Sequence, residues 1–446
     1  MRMDLPFHRP RFGPAFAALA MLAVLAGCAD NDPILPGERI PVRPEMVPVG
    51  ETETLRAVPL PPQRANADWS HRNGSADGRI AHPALAPSPQ LRWSTDIGVG
   101  SSRRARILAG PVVAGGLIYT IDAAGQLSAV ARDGGLVWRR SLVPVNQDAD
   151  SGPGGGLAVD RGVLYVTTGF GEAMALRPSD GAEIWRRDFE GPIRAAPTVA
   201  EGRVFVVVRN DTGYALDLRN GETLWRVQGS GGPGLLGGAT VATDGQLVAM
   251  PFASGEVLGV LARNGLQVWG TAVTGGRRDL ARNRINDISG DPVFDGGVIY
   301  ASNQSGRTVA IEVSTGERLW TMPEGAYGPA WPVGGSLFLL SDRGALVRAD
   351  AGTGAILWSV QLPAYTERRR LFRSPEQGDA QTYYGPVLAG GRLWVAGGDG
   401  LLRAFSPNDG RPLGEIAIPG GAATAPVVAG GVMYIVSSDG NLLAFQ

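Results

Sequence analysis

Residues 115–130 read GGLIYTIDAAGQLSAV, and after them come Asp133-Gly134 and then Trp138. A Gly-Gly turn opens the stretch and a run of β-branched and aromatic residues follows. A polar turn around Gly125 then leads into a second short apolar run. Runs of this length and composition, punctuated by tight turns, encode short antiparallel strands. Asp-Gly supplies the positive φ angles that a tight strand-to-strand turn requires.

The same text recurs down the chain. The further copies are RGVLYVTTGFGEAMAL from Arg161, EGRVFVVVRNDTGYAL from Glu201, DGQLVAMPFASGEVLGV from Asp244 and GGVIYASNQSGRTVAI from Gly296. They continue with GGSLFLLSDRGALVRA from Gly334, GGRLWVAGGDGLLRAF from Gly390 and GGVMYIVSSDGNLLAF from Gly430. Trp93, Trp138, Trp185, Trp225, Trp269, Trp320 and Trp358 follow one another at intervals of 38 to 51 residues. From Trp138 onward each stands four residues after a turn glycine: Gly134, Gly181, Gly221, Gly265, Gly316 and Gly354. A seventh such turn, Asp409-Gly410, is followed by Gly414 where tryptophan is due. Short Pro-Val-like segments, among them Pro111-Val112, Pro292-Val293 and Pro426-Val427, lead into the copies.

Each repeat therefore encodes four short antiparallel strands in about 44 residues, the size of a propeller blade. The fold expected is an all-β, eight-bladed β-propeller of four-stranded antiparallel blades, with seven blades as the alternative. A single twisted blade cannot bury both faces, so blades stack radially, and the recurrent tryptophans are structural residues filling the gap between neighbours. The eighth copy reaches Gln446 just after its third strand. The segment Gln90-Leu91-Arg92-Trp93-Ser94-Thr95 supplies the missing fourth, which closes the ring and removes a free sheet edge.

The N-terminus carries a different signal. Arg2, Arg9 and Arg11 precede an apolar run from about Phe12 to Ala26, too short for an ordinary membrane span and patterned as a secretory signal. The run ends in Leu25-Ala26-Gly27-Cys28, and Cys28 is the only cysteine of the chain. These residues resemble a bacterial lipobox, in which the cysteine thiol is alkylated by a diacylglyceryl group and becomes the first residue after cleavage. Several acyl chains hold a protein stably to a membrane where one does not. The residue after the cysteine is Ala29, whereas an aspartate there is the retention signal of inner-membrane lipoproteins of the enteric type. The expected location is thus the outer membrane, periplasmic face. Residues 1–27 read as the signal peptide, 28–64 as a tether with eight prolines, and 65–446 as the propeller.

Composition narrows the functions. Net charge is −1, all 41 basic side chains are arginine, and no block of one sign dominates, so nucleic acid is not an expected partner. The three histidines, His8, His71 and His82, all precede Trp93. The repeats therefore hold neither His nor Cys, which removes imidazole base chemistry and the usual zinc ligands from the body of the protein. His71 and His82, with Trp69 nearby, are expected to pack the N-terminal segment against the ring.

The Asp/Asn-Gly-x-x-x-Trp repeat with its Gly-x-x-Tyr strands resembles the quinoprotein-type propellers, and among them the family of the outer-membrane assembly factor BamB. The lipobox extends the likeness to the N-terminus. Arg284-Ile285-Asn286-Asp287-Ile288-Ser289 is similar to that family's Arg-Leu-x-Asp-Val-Asp stretch, with Ser289 in place of the second acid. Leu235-Leu236-Gly237-Gly238 echoes its Leu-x-Leu-Arg-Gly segment without the arginine. The resemblance implies a non-catalytic scaffold that binds the periplasmic domains of the barrel-inserting subunit BamA, with unfolded outer-membrane proteins as further clients. It implies no cofactor and no metal. The rivals are a propeller holding a quinone or polysaccharide in its channel, and a PQQ-dependent dehydrogenase. The enzymes of that class carry a vicinal disulfide, which a chain whose one cysteine is Cys28 does not form.

Two insertions interrupt the period. One, from about Val273 to Ile288, carries Arg277, Arg278, Arg282 and Arg284; the other, from about Gln361 to Tyr384, carries Arg368, Arg369, Arg370, Arg373 and three tyrosines. Arginine with tyrosine is the composition of interface hot spots, and long loops on a rigid scaffold are where binding sits. The resemblance thus implies Arg284, Asp287, Leu235 and Leu236 as partner contacts, and the insertions add Arg277, Arg278, Arg368, Arg369 and Arg370 as expected ones.

Overall fold

A computed structural model describes residues 56–152, 154–193, 195–231, 238–273, 275, 286–368 and 376–446. Among these the strands group into eight four-stranded sheets and one separate two-stranded hairpin. Blades I to VII cover residues 112–141, 155–188, 198–228, 242–272, 288–322, 331–361 and 383–417. Blade VIII combines residues 427–445 with Leu91–Asp96, which pairs antiparallel with Asn441–Phe445. The ring thus closes on the strand that the unassigned tryptophan marked. The one helical turn among the described residues is a 3-10 turn at Ala149–Ser151. No helix among them is long and apolar enough to cross a membrane.

In blades I to V the outermost, fourth strand carries the repeat tryptophan opposite a small residue, whereas in blade VI Trp358 faces Arg348. Trp138 faces Ala129, Trp185 faces Ala175, Trp225 faces Ala215, Trp269 faces Gly259 and Trp320 faces Ala310. The ring reaches beyond its own blade. A Cβ placed on Gly181 would come within 2.9 Å of Trp138, and one on Gly221 within 2.6 Å of Trp185, so each tryptophan lies on the turn glycine of the next blade. Those two glycines also hold φ of +69° and +71°, so both backbone geometry and space require glycine there. Each indole Nε1–H donates into the same turn, Trp138 to Pro178 O at 2.8 Å and Trp185 to Leu218 O at 3.0 Å. The tryptophan is thus an inter-blade rivet, and truncating one to alanine costs about 3–5 kcal/mol.

Gly414 now has a reason. A tryptophan there would need the turn joining the third and fourth strands of blade VIII. Those strands, Asn441–Phe445 and Leu91–Asp96, come from opposite ends of the repeat region, so no such turn exists. An added Cβ at Gly414 meets nothing within 4 Å. In blade VII a different indole, Trp394 on the second strand, is buried instead at 1 % exposure.

The antiparallel order fixes two ends of the ring. Turns between first and second strands, and between third and fourth, lie at one end. Turns between second and third strands, and every inter-blade connection, lie at the other. The segment 56–85 runs along the first of these, here called the strap end. Arg56 O accepts from Arg348, the Val58 amide donates to Asn408 Oδ1 at 2.8 Å, and Asn66 O accepts from the Gly430 amide at 2.6 Å.

The strap then serves one first-strand amide after another around the ring. Val113 N–H donates to Trp69 O (2.9 Å), Val159 to Ser70 O (2.8 Å), Thr243 to Ala76 O and Phe294 to Asp77 O (both 2.9 Å). Val199 N–H donates to His71 Nε2 at 3.1 Å. Blades I to V each have their inner-edge amide satisfied in this way. Blade VI has Pro332 at the corresponding place, in register with Leu337, and needs no acceptor. Trp69, 2 % exposed, stacks on Trp331 with ring centroids 6.4 Å apart. His82 Nε2 accepts from Gly391 N–H at 2.9 Å while its Nδ1 meets Pro61 O at 2.6 Å, which locks the end of the strap to blade VII. His71 and His82 pack the segment against the ring as expected.

His71 has a measurable signature. Burial is the main cause that pushes its imidazole down to about 4, against the Val199 contact and Asp77, which act upward. The folded protein therefore holds it neutral while the unfolded chain protonates it near 6.5. Between those values the unfolded state binds the extra proton, so stability is intact above pH 6.5 and falls by about 3 kcal/mol as pH drops to 4. Urea midpoints followed across this range should show that slope, and His71→Asn should flatten it.

Candidate interaction surface

The inter-blade connections leave and rejoin the blades at the end opposite the strap. Residues 231 and 238 flank the stretch with Leu235 and Leu236, and residues 275 and 286 flank the one with Arg277, Arg278 and Arg284. Those five side chains, like Arg369, Arg370 and Cys28, lie outside the described residues. The fold nonetheless brings the roots of three sequence-predicted segments to one end of the ring.

Asp287 is described and is buried at 1 % exposure, just before the first strand of blade V. The carboxylate sits at the root of its connection rather than on the surface. Asp291, four residues on, has a role that sequence did not reveal. Its Oδ1 accepts from Thr240 N–H at 2.7 Å, and its Oδ2 accepts from Asn73 at 2.7 Å and lies 3.3 Å from Arg72 Nε. It is the seat of the strap.

The second insertion is not only a loop. Tyr365–Arg368 pairs antiparallel with Glu376–Ala380, and Arg368 stands opposite Glu376 in that register. This hairpin belongs to no blade. Its root is held tightly: Gln381 N–H donates to Ala364 O at 2.9 Å and Tyr383 OH donates to Pro363 O at 2.8 Å. Burial and, after it, the charge of Asp399 push the Tyr383 phenol up to about 12, which keeps it protonated as that donor. Arg403 lies over the Tyr383 ring at 5.5 Å and is paired with Asp399 at 2.5 Å and Glu415 at 3.2 Å. A buried cation between two carboxylates and a ring fixes the hairpin to blade VII. Beside it an open hollow of about 570 Å³ is lined by Thr382, Gly398, Asp399, Gly400, Gly421 and Ser438. Its walls are polar turns rather than the apolar lining of a cofactor pocket. Among the described residues no group of three His, Cys, Asp or Glu side chains could hold a metal ion.

One connection at this end was missed in the sequence. Between blades VIII and I, Arg103, Arg104 and Arg106 are all exposed. The available signal was three arginines in four residues with no acid between Ile97 and Pro111.

A closed ring whose inter-blade connections all emerge at one end, with a strap across the other, defines a class: propellers that present a rigid face. Comparison with known proteins narrows it. The family described as outer membrane protein assembly factor BamB matches residues 123–360 and 364–446. The protein of that name from Xanthomonas campestris is 30 % identical over 328 residues, covering 70 % of this chain and 77 % of its own. That from Escherichia coli is 26 % identical over 337 residues, covering 73 % and 80 %. Among solved structures, BamB from Moraxella catarrhalis shares the fold at a TM-score of 0.64 and 19 % identity, covering 80 % of this chain and 99 % of its own. The quinohemoprotein alcohol dehydrogenase of Comamonas testosteroni shares it at 0.61 and 15 %, covering 85 % and 80 %. The chain belongs to the BamB family.

Proposed function

We propose that this protein is a non-catalytic scaffold lipoprotein of the outer-membrane β-barrel assembly machinery, anchored through Cys28 on the periplasmic face. Its connection-bearing end binds the periplasmic domains of the BamA-like subunit through Arg277, Arg278, Arg284, Leu235 and Leu236 and the hairpin that starts the run Arg368, Arg369, Arg370. Asp287 is buried at the root of one such connection. The signal peptide is residues 1–27, and the tether of 28–64 runs into the strap, which holds residues 56–64 against the ring. The observation that carries the reading is the convergence of the roots of these segments on one end, opposite the strap, in a chain of the BamB family.

Sharing a fold with quinoprotein dehydrogenases says nothing of activity. The strap's place across the inner edges of blades I to V weighs against a channel ligand entering from that end. The fourth strands offer a second contact. Ile184, Leu224 and Leu319 are about half exposed there, at 51 %, 47 % and 50 %, beside unpaired outer edges to which an extended client segment could add. Affinity purification through this protein should recover the BamA-like subunit. Repeated failure to recover it would remove the scaffold reading.

A further inference from the structure

The connection between blades VIII and I is basic, ordered and uncompensated at once. Its order comes from two serines. Ser101 N–H donates to Ser438 O at 2.7 Å, and Ser101 Oγ accepts from Ile107 N–H at 3.1 Å. Ser102 N–H donates to Ala105 O at 2.6 Å, while its Oγ accepts from the Arg104 and Ala105 amides at 3.3 and 3.1 Å. Ile97 and Ile107 are buried beneath at 0 % and 3 % exposure. The tip is therefore held in one shape with Arg103, Arg104 and Arg106 directed out to solvent.

No ion pair to a described residue neutralises the three guanidinium groups. Of the acids on neighbouring turns, Asp122 is engaged by the amides of Val99, Ala124 and Gln126 at 2.6 to 2.9 Å, and the exposed Asp439, whose backbone lies against Gly100, is ion-paired to none of the three arginines. Three like charges within four residues repel one another, so folding alone gains nothing from the arrangement. Beside them Val99 and Leu108 stand 56 % and 38 % exposed. Free arginines bordered by exposed aliphatic side chains have the make-up of a protein contact, with forks that match carboxylates.

Position supports a protein rather than a lipid surface. The described chain starts, at Arg56, on the strap end, where Arg56 O accepts from Arg348 and Val58 N–H donates to Asn408. The arginine turn lies on the opposite end, four blades from the 273–287 connection and two from the hairpin. We propose that residues 101–107, with Val99 and Leu108, form a separate docking site for an acidic protein surface. The site rests on the scaffold reading in so far as that surface belongs to the BamA-like subunit.

The test uses the full-length lipoprotein and three probes: the purified periplasmic domains of the BamA-like subunit, poly-glutamate, and phosphatidylglycerol vesicles. The variants replace Arg103, Arg104 and Arg106 together by Gln or by Glu. Their melting temperatures should match the parent, since the side chains are exposed and make no ion pair to a described residue. Affinity for the periplasmic domains should fall about tenfold with Gln and further with Glu, and poly-glutamate binding should fall with it. If the parent fails to bind the periplasmic domains yet loses poly-glutamate binding on substitution, the scaffold reading fails and the acidic-surface site stands. Unchanged binding of both polypeptide probes overturns the site. Loss confined to the vesicles overturns it in favour of lipid headgroups.

Discussion

Removing residues 56–85, with Leu91–Asp96 retained, is expected to leave a propeller that no longer folds stably. The strap buries Trp69, Val58, Leu85, His71 and His82 at 7 % exposure or less. Each large apolar side chain so buried contributes about 2–3 kcal/mol. The strap also closes the amides of Val113, Val159, Val199, Thr243 and Phe294, each bond worth about 1 kcal/mol. Together these approach the whole stability of an ordinary domain, about 5–15 kcal/mol. Thermal melts followed by tryptophan fluorescence should show no cooperative transition, or one displaced downward by far more than 10 °C. A point substitution gives the graded version: Trp69→Ala should cost about 3–5 kcal/mol through loss of its stack on Trp331. An unchanged midpoint for the deletion would show that the ring closes and holds without its strap.

Charge reversal on the opposite end should do the converse, sparing stability and removing the partner. Replacing Arg277, Arg278, Arg284, Arg368, Arg369 and Arg370 by glutamate turns every proposed attraction to an acidic surface into a repulsion. Rim charges each contribute modestly, but six reversals together should lower recovery of the BamA-like subunit on the order of a hundredfold. The melting temperature should stay within a few degrees of the parent. Reversal of surface arginines elsewhere, such as Arg219, serves as the control. Undiminished recovery would move the contact away from these connections.

The ring was legible because its signals are local. Asp-Gly or Asn-Gly four residues before tryptophan sets turn, strand and rivet within a single repeat, and the stray segment around Trp93 told where the ring closes. The strap was legible only as a tendency. His71 meets Val199 and Asn66 meets Val428, contacts 128 and 362 residues apart in sequence that no pattern of spacing announces. Pro332 looks like an ordinary strand proline until the strap shows which amide it dispenses with. Gly414 looks like a decayed repeat until the missing turn of blade VIII explains it. The hairpin at Tyr365–Arg368 and Glu376–Ala380 read as a charged loop, since its residues lack the apolar alternation that marks a half-buried strand. Arg103, Arg104 and Arg106 escaped notice because their connection does not lengthen the repeat, and only the fold shows them on the same end as the two insertions.

The central claim is that the end bearing the connections faces the assembly partner and the strap end does not. Photo-crosslinking in living cells measures this directly, with the reactive residue placed at Arg104, Tyr365 or Asn286 on one end and at Arg161, Asp244 or Asp409 on the other. Adducts to the BamA-like subunit are predicted from the first set and not from the second. Adducts from the strap end alone, or from neither, would contradict the account.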